Sequence, residues 1–215
     1  MVFRLMSVIA SLLLSFVVLA QTSPSEGKDY VELRPPQATD SSGKIEVLEF
    51  FWYRCAHCYS LEPLLGTWVK SLRKDVQFKR VPVIMGFSFD NSTVDARIFY
   101  TLEAMGEVER VHRALFDAIH QQGGVRLKGD TYAKWVADWL AKQGVDMNKY
   151  DTAFRSFTVE TKLRRAAQLT QVYKLDGVPA LAVQGRYIIG ASANMLNVTD
   201  FLIGEARKQS AGAKP

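Results

Sequence analysis

The alternation of apolar and polar positions divides this chain into two kinds of segment. Tyr30-Val31-Glu32-Leu33 alternates, as a short strand does, and Pro35-Pro36 stops it. Asp40-Ser41-Ser42-Gly43 is a turn. Ile45-Glu46-Val47-Leu48-Glu49-Phe50-Phe51 is nearly all apolar, the pattern of a central strand covered on both faces. Residues 59–72 then place Leu61, Leu64, Leu65, Trp68 and Leu72 at helical spacing, with Pro63 predicting a kink. Residues 76–83 return to strand. From 90 to 174 the pattern is helical throughout. Asn91-Ser92 caps a helix over 93–105 that ends at Gly106, and a second over 107–122 ends at Gly123-Gly124. Asp130 or Thr131 caps a third, which ends at Gly144, and two more cover 146–157 and 158–174. Strands resume at 180–183 and 186–189 around a Gln184-Gly185 turn, the dipeptide of a hairpin, and a last helix covers 193–208. Strands, then helices alone, then strands again describe an α/β domain interrupted by an all-helical insertion. The predicted division is 27–89 with 175–210 as one discontinuous unit, and 90–174 as the insertion.

The chain start changes the picture of where this domain works. Arg4 is the only charge before Glu26, and residues 5–20 are uncharged and rich in Leu, Val, Ile and Phe. With Val18-Leu19-Ala20 ahead of a cleavage point after Ala20, residues 1–20 read as a secretory signal peptide. The alternative, a membrane anchor, fits less well, because the run is shorter than the ~20 residues a spanning helix needs. Either way the folded part is exported, and the periplasm is the expected location. Apolar residues make up 48% of the chain, enough for an ordinary core. The net charge of +5 is dispersed, with small groups at Lys79-Arg80 and at 162–165, so nucleic acid is not an expected partner. Residues 21–28 and 211–215 read as polar, loosely ordered ends.

Candidate chemistry is concentrated in Cys55-Ala56-His57-Cys58, which holds the chain's only 2 cysteines. An exported protein usually spends cysteines on staples. A disulfide across so short a loop would constrain the unfolded chain by only about 2 kcal/mol, and longer loops gain more. The spacing suits switching better than stapling. Two close thiols at a strand-to-helix junction point to thiol redox chemistry. Zinc at Cys55, His57 and Cys58 would need ligands from elsewhere. Covalent haem would need a histidine directly after the second cysteine, where Tyr59 stands. No metal and no cofactor is expected, and His112 and His120 read as structural or surface residues.

Val47-Leu48-Glu49-Phe50-Phe51 followed by Cys55-Ala56-His57-Cys58, with Gly177-Val178-Pro179 ahead of a hairpin, resembles the DsbA family of periplasmic thiol:disulfide oxidoreductases. The resemblance covers essentially the whole chain after the leader. It implies a thioredoxin fold with an inserted helical domain, and an oxidase that donates its disulfide to reduced exported proteins. It also implies a membrane quinone-linked, DsbB-type partner that restores the disulfide. Ala56 departs from the family, which most often has Pro there, and leaves the redox potential open.

Within that frame each residue has an expected role. Cys55, first in its helix, faces unpaired backbone N–H groups and the positive end of the helix dipole, which favour thiolate. His57 can add a hydrogen bond or charge. Stabilising the thiolate stabilises the reduced form, and DsbA itself is the standard example of an oxidant made strong in this way. Cys58, one turn in and more buried, closes the ring. The resemblance implies that Val178-Pro179 is a cis peptide against the disulfide, with Val178 backbone free to pair with an extended substrate. Glu49 is either a face-out carboxylate with no role or a buried acid near Cys58, paired with Lys79, that moves a proton. The resemblance supports the second. Trp52 and Tyr53 either flank the site or belong to the core. A reductase or isomerase of the same fold is the enzymatic alternative, and a chaperone-like binder with incidental cysteines the non-enzymatic one. Periplasmic isomerases carry a separate dimerisation module, for which residues 21–44 are too short, so a monomer is expected.

Overall fold

The computed structural model describes residues 23–41, 43–85 and 91–212. The predicted leader, residues 1–20, lies outside them. Five strands form one mixed sheet: β1 (Val31–Glu32), β2 (Ile45–Phe51), β3 (Val76–Pro82), β4 (Ala180–Val183) and β5 (Tyr187–Ile189), in the order β1-β5-β4-β2-β3. Only the β2–β3 pair is parallel. Strands from both ends of the chain therefore close one sheet, with β2 at its interior between β3 and β4.

Helix α1 (Ala56–Ser71) connects β2 to β3, and α7 (Met195–Gly212) ends the described chain. Between β3 and β4 run α2 (Ser92–Ala104), α3 (Val108–Gln121), a 3₁₀ turn (Gly124–Arg126), α4 (Gly129–Lys142), α5 (Met147–Phe154) and α6 (Phe157–Val172). Side-chain alternation gives β2 two covered faces. Ile45 and Val47 join Leu181, Val183, Leu65, Trp68 and Leu202 on the α1 and α7 side. Leu48 and Phe50 join Ala180, Ala182, Phe99 and Leu163 on the side of the helical block. Among the described residues, no helix is long and apolar enough to cross a membrane.

Several caps differ from the sequence reading. Helix α1 starts at Ala56, with Cys55 itself the N-cap, its sulfur accepting from the Cys58 N–H. Asn91 does not cap α2. It takes a left-handed conformation (φ 67°), and its side chain instead donates to Leu127 O and accepts from Gly129 N. Helix α4 begins one residue before Asp130, so neither Asp130 nor Thr131 is its cap. Asp146 and Ser156 do cap α5 and α6 through their side-chain oxygens. The helix α1 continues through Pro63. Leu64, expected on its buried face, is 65% exposed. Cys58, Glu62, Leu65 and Trp68 form the buried row, and Leu64 is turned about 100° away from Leu65. In the β4–β5 turn Gln184 and Gly185 both have positive φ, and a Cβ at Gly185 would lie 2.1 Å from Gln37 O. Glycine there is a requirement of both conformation and space.

Candidate active site

The end of β2 delivers Cys55 to the first turn of α1. Its sulfur accepts from the Cys58 backbone N–H at 3.4 Å, and as a thiol donates to Val178 O at 3.3 Å. Both cysteines are free thiols, Cys55 half-buried and Cys58 1% exposed. The two titrate in opposite directions. Hydrogen bonding from the Cys58 thiol, then from the Cys58 and His57 backbone N–H groups, brings Cys55 down to about 6, against the burial that opposes it. The His57 charge adds to this, and the imidazole itself is exposed at the helix start, as is Ala56. Burial pushes the Cys58 thiol far up, and the Cys55 sulfur beside it adds to the shift. A thiolate accessible at neutral pH therefore stands beside a buried thiol that keeps its proton.

The Val178–Pro179 peptide is cis. Pro179 borders a groove of about 880 Å³ together with His57, Leu61, the exposed Leu64 and Met195. The mouth of this groove is mostly apolar and runs directly past the Cys55 segment.

Glu49 is buried close enough to Cys58 that, when ionised, its charge adds to the rise of that thiol. Its predicted partner is not Lys79. In the parallel register Glu49 lies opposite Arg80, and Leu48 opposite Lys79. Neighbours in register share a face, so Arg80 points to the α1 side with Glu49, at 3.1 Å, while Lys79 points to the other side and binds Glu46 at 2.8 Å. Burial outweighs the Arg80 charge and raises the Glu49 carboxyl to about 8. Arg80 is shared with Glu62, 3.6 Å away. Glu62 also takes a 3.1 Å bond from His112 Nε2, and His112 Nδ1 meets the Tyr53 hydroxyl at 2.8 Å. A proton on Nε2 satisfies both contacts, and burial holds the ring neutral. Burial also pushes Glu62 up, but the His112 bond and Arg80 outweigh it and keep the carboxyl below its ordinary range.

Glu62, Arg80 and His112 did not emerge from the sequence as site residues. Glu62 was within reach, because it stands one turn after Cys58 on the same helical face. His112 was not, because nothing in α3 signals its approach to Tyr53. Trp52 is half-buried and faces Asp95, a fully buried residue of α2 whose carboxyl burial raises to about 7 against the opposing Tyr132 bond, Arg54 charge and Trp52 bond. Among the described residues no group of three His, Cys, Asp or Glu side chains is arranged to hold a metal ion.

Comparisons with known proteins agree with this chemistry. Residues 46–198 match the family model described as a DSBA-like thioredoxin domain. The thiol:disulfide interchange protein DsbA of Burkholderia cepacia is 40% identical over 198 residues, covering 88% of this chain and 90% of that protein. Its counterpart in Azotobacter vinelandii is 39% identical over 186 residues, covering 84% of each. Among solved structures, Pseudomonas aeruginosa DsbA superposes with a TM-score of 0.79 at 36% identity, covering 87% of this chain and 97% of that one. The oxidoreductase DsbA from Xylella fastidiosa gives 0.77 at 30% identity, covering 86% and 98%.

Proposed function

The chain belongs to the DSBA-like thioredoxin family and is a thiol:disulfide oxidoreductase, and from that premise we propose that it works as a protein disulfide oxidase of the periplasm. The reading includes removal of residues 1–20 on export, a thioredoxin-like unit of 27–89 and 175–210 interrupted by the insertion 90–174, and action as a monomer. The observation that carries the direction is the opposite displacement of the two thiols, Cys55 down to about 6 and Cys58 upward. A stabilised thiolate favours the reduced enzyme, so the disulfide is readily given away.

In the oxidised enzyme a substrate thiolate attacks Cys55. A bond forms between the two sulfurs, the Cys55–Cys58 bond breaks, and Cys58 leaves with the electron pair. Cys58 then takes a proton from the Glu49 carboxyl, which is largely protonated at neutral pH. A second substrate thiolate attacks the substrate sulfur of the mixed disulfide and releases Cys55 as thiolate. The substrate has lost two electrons and the enzyme has gained them. The Pro179 groove suits an extended, unfolded segment, and so does the Val178 carbonyl once the Cys55 thiol that donates to it is oxidised. A membrane quinone-linked partner of the DsbB type would withdraw the two electrons and restore the disulfide.

Three measurements test the reading. Thiolate absorbance at about 240 nm should titrate well below an ordinary thiol, and an alkaline transition would end the oxidase reading. The equilibrium with glutathione should show a strongly oxidising couple, whereas a value near thioredoxin's would make the protein a reductase. Cys55→Ala should abolish oxidation of a reduced unfolded protein, and retained activity would favour the chaperone-like reading.

A further inference from the structure

We infer that Arg54 is a positioning residue for the thiol chemistry: it straps the segment carrying Cys55 to the helical insertion, and this strap fixes where the Cys55 sulfur stands. Nothing in the sequence pattern calls for a cation between Tyr53 and Cys55. Arg54 is half-buried, and its guanidinium spends donors on backbone of the insertion. Nη1 donates to Leu127 O at 2.6 Å and Nη2 to Val125 O. The same group lies 5.1 Å from the centroid of the Tyr132 ring. The Tyr132 hydroxyl in turn donates to Asp95, so the ring under Arg54 is itself held.

The loop that receives Arg54 is fixed from its far side as well. Asn91 Nδ2 donates to the same Leu127 O at 3.1 Å, and Gly129 N donates to Asn91 Oδ1 at 2.8 Å. The preceding residue is anchored in the same direction, Tyr53 O receiving the His120 Nε2 proton at 2.8 Å. The chain therefore reaches Cys55 pinned to the insertion and leaves it inside α1. The contacts that lower the Cys55 pKa, from the Cys58 and His57 N–H groups and the Cys58 thiol, are short-ranged and depend on where that sulfur stands. A planar fork can satisfy two carbonyls at once, and a lysine ammonium in its place keeps the charge without reproducing that geometry.

This difference supplies the test. In Arg54→Met and Arg54→Lys the Cys55 pKa, read from thiolate absorbance, should rise by roughly one unit, with about a tenfold loss of oxidising power against glutathione. Asn91→Gly, which suits the left-handed backbone there and leaves Arg54 intact, should shift both readings in the same direction by less. If Arg54→Lys keeps the parent pKa, charge alone matters and the strap is overturned. Variants that lose thermal stability while their titration stays unchanged would overturn it too. The inference rests on Cys55 being the low-pKa nucleophile. An ordinary thiol titration in the parent protein would sink that reading and the strap together, whereas a low parent value with unmoved variants sinks only the strap.

Discussion

At Glu49 two effects oppose each other, and burial prevails over the Arg80 charge. The native carboxyl titrates near 8, against an ordinary 4.5. Between those values the native protein holds a proton that the unfolded chain has released. Stability therefore falls as pH rises through that window, by about 1.4 kcal/mol per unit at most. Glu49→Gln removes the slope, so urea denaturation should show the variant gaining on the parent from pH 5 to pH 8. It should also slow the protonation of Cys58 as it leaves, seen as slower net formation of the mixed disulfide. An equal pH slope in both proteins would show that Glu49 is ionised in the fold. The cysteine pair and Pro179 could be picked out of the sequence because spacing and a proline mark them. The partner of Glu49 could not, because choosing Arg80 over Lys79 requires the β2–β3 register, which no local pattern supplies. Asp95 and His112 were hidden for a related reason: they reach the site from helices far along the chain, and their own helices give no sign of it.

Among the elements, α1 combines three duties along one cylinder. Its first turn holds Cys55, its buried row anchors the sheet, and its outer side gives Leu61 and Leu64 to the groove. The element order was readable because long amphipathic helices and apolar strands announce themselves. The ends were less so, since caps depend on conformation: Asn91 has a capping side chain but a left-handed backbone that directs it elsewhere. The exposure of Leu64 separates binding from stability. Leu64→Ser should change the unfolding free energy by less than about 0.5 kcal/mol. It should weaken binding of an unfolded substrate peptide by roughly five- to thirtyfold, since one leucine contributes about 1 to 2 kcal/mol when covered. Peptide titration followed by fluorescence anisotropy measures this, and unchanged affinity would place the peptide elsewhere.

On the scale of the molecule, an aromatic cluster joins the sheet to the insertion. Phe51 and Tyr53 from the end of β2 meet Phe99 of α2 and His112 and Phe116 of α3, with the Tyr53–Phe116 centroids 4.9 Å apart. So continuous a core predicts a single cooperative transition. Phe116→Ala should cost about 3–5 kcal/mol in that one transition, followed by circular dichroism and by tryptophan fluorescence together. Probes that separate would indicate that the insertion melts alone. The adjacent cations of β3 carry a further consequence, for the way the strand finds its place. Lys79 serves Glu46 on one side of the sheet and Arg80 serves Glu49 on the other. A slip of one residue would exchange the two sides, leaving Glu46 or Glu49, according to its direction, without a cation and taking Val81 from the face it packs on. Two neighbouring charges of one strand thus act as a proofreading mark, since each misaligned register leaves a buried carboxylate without its cation.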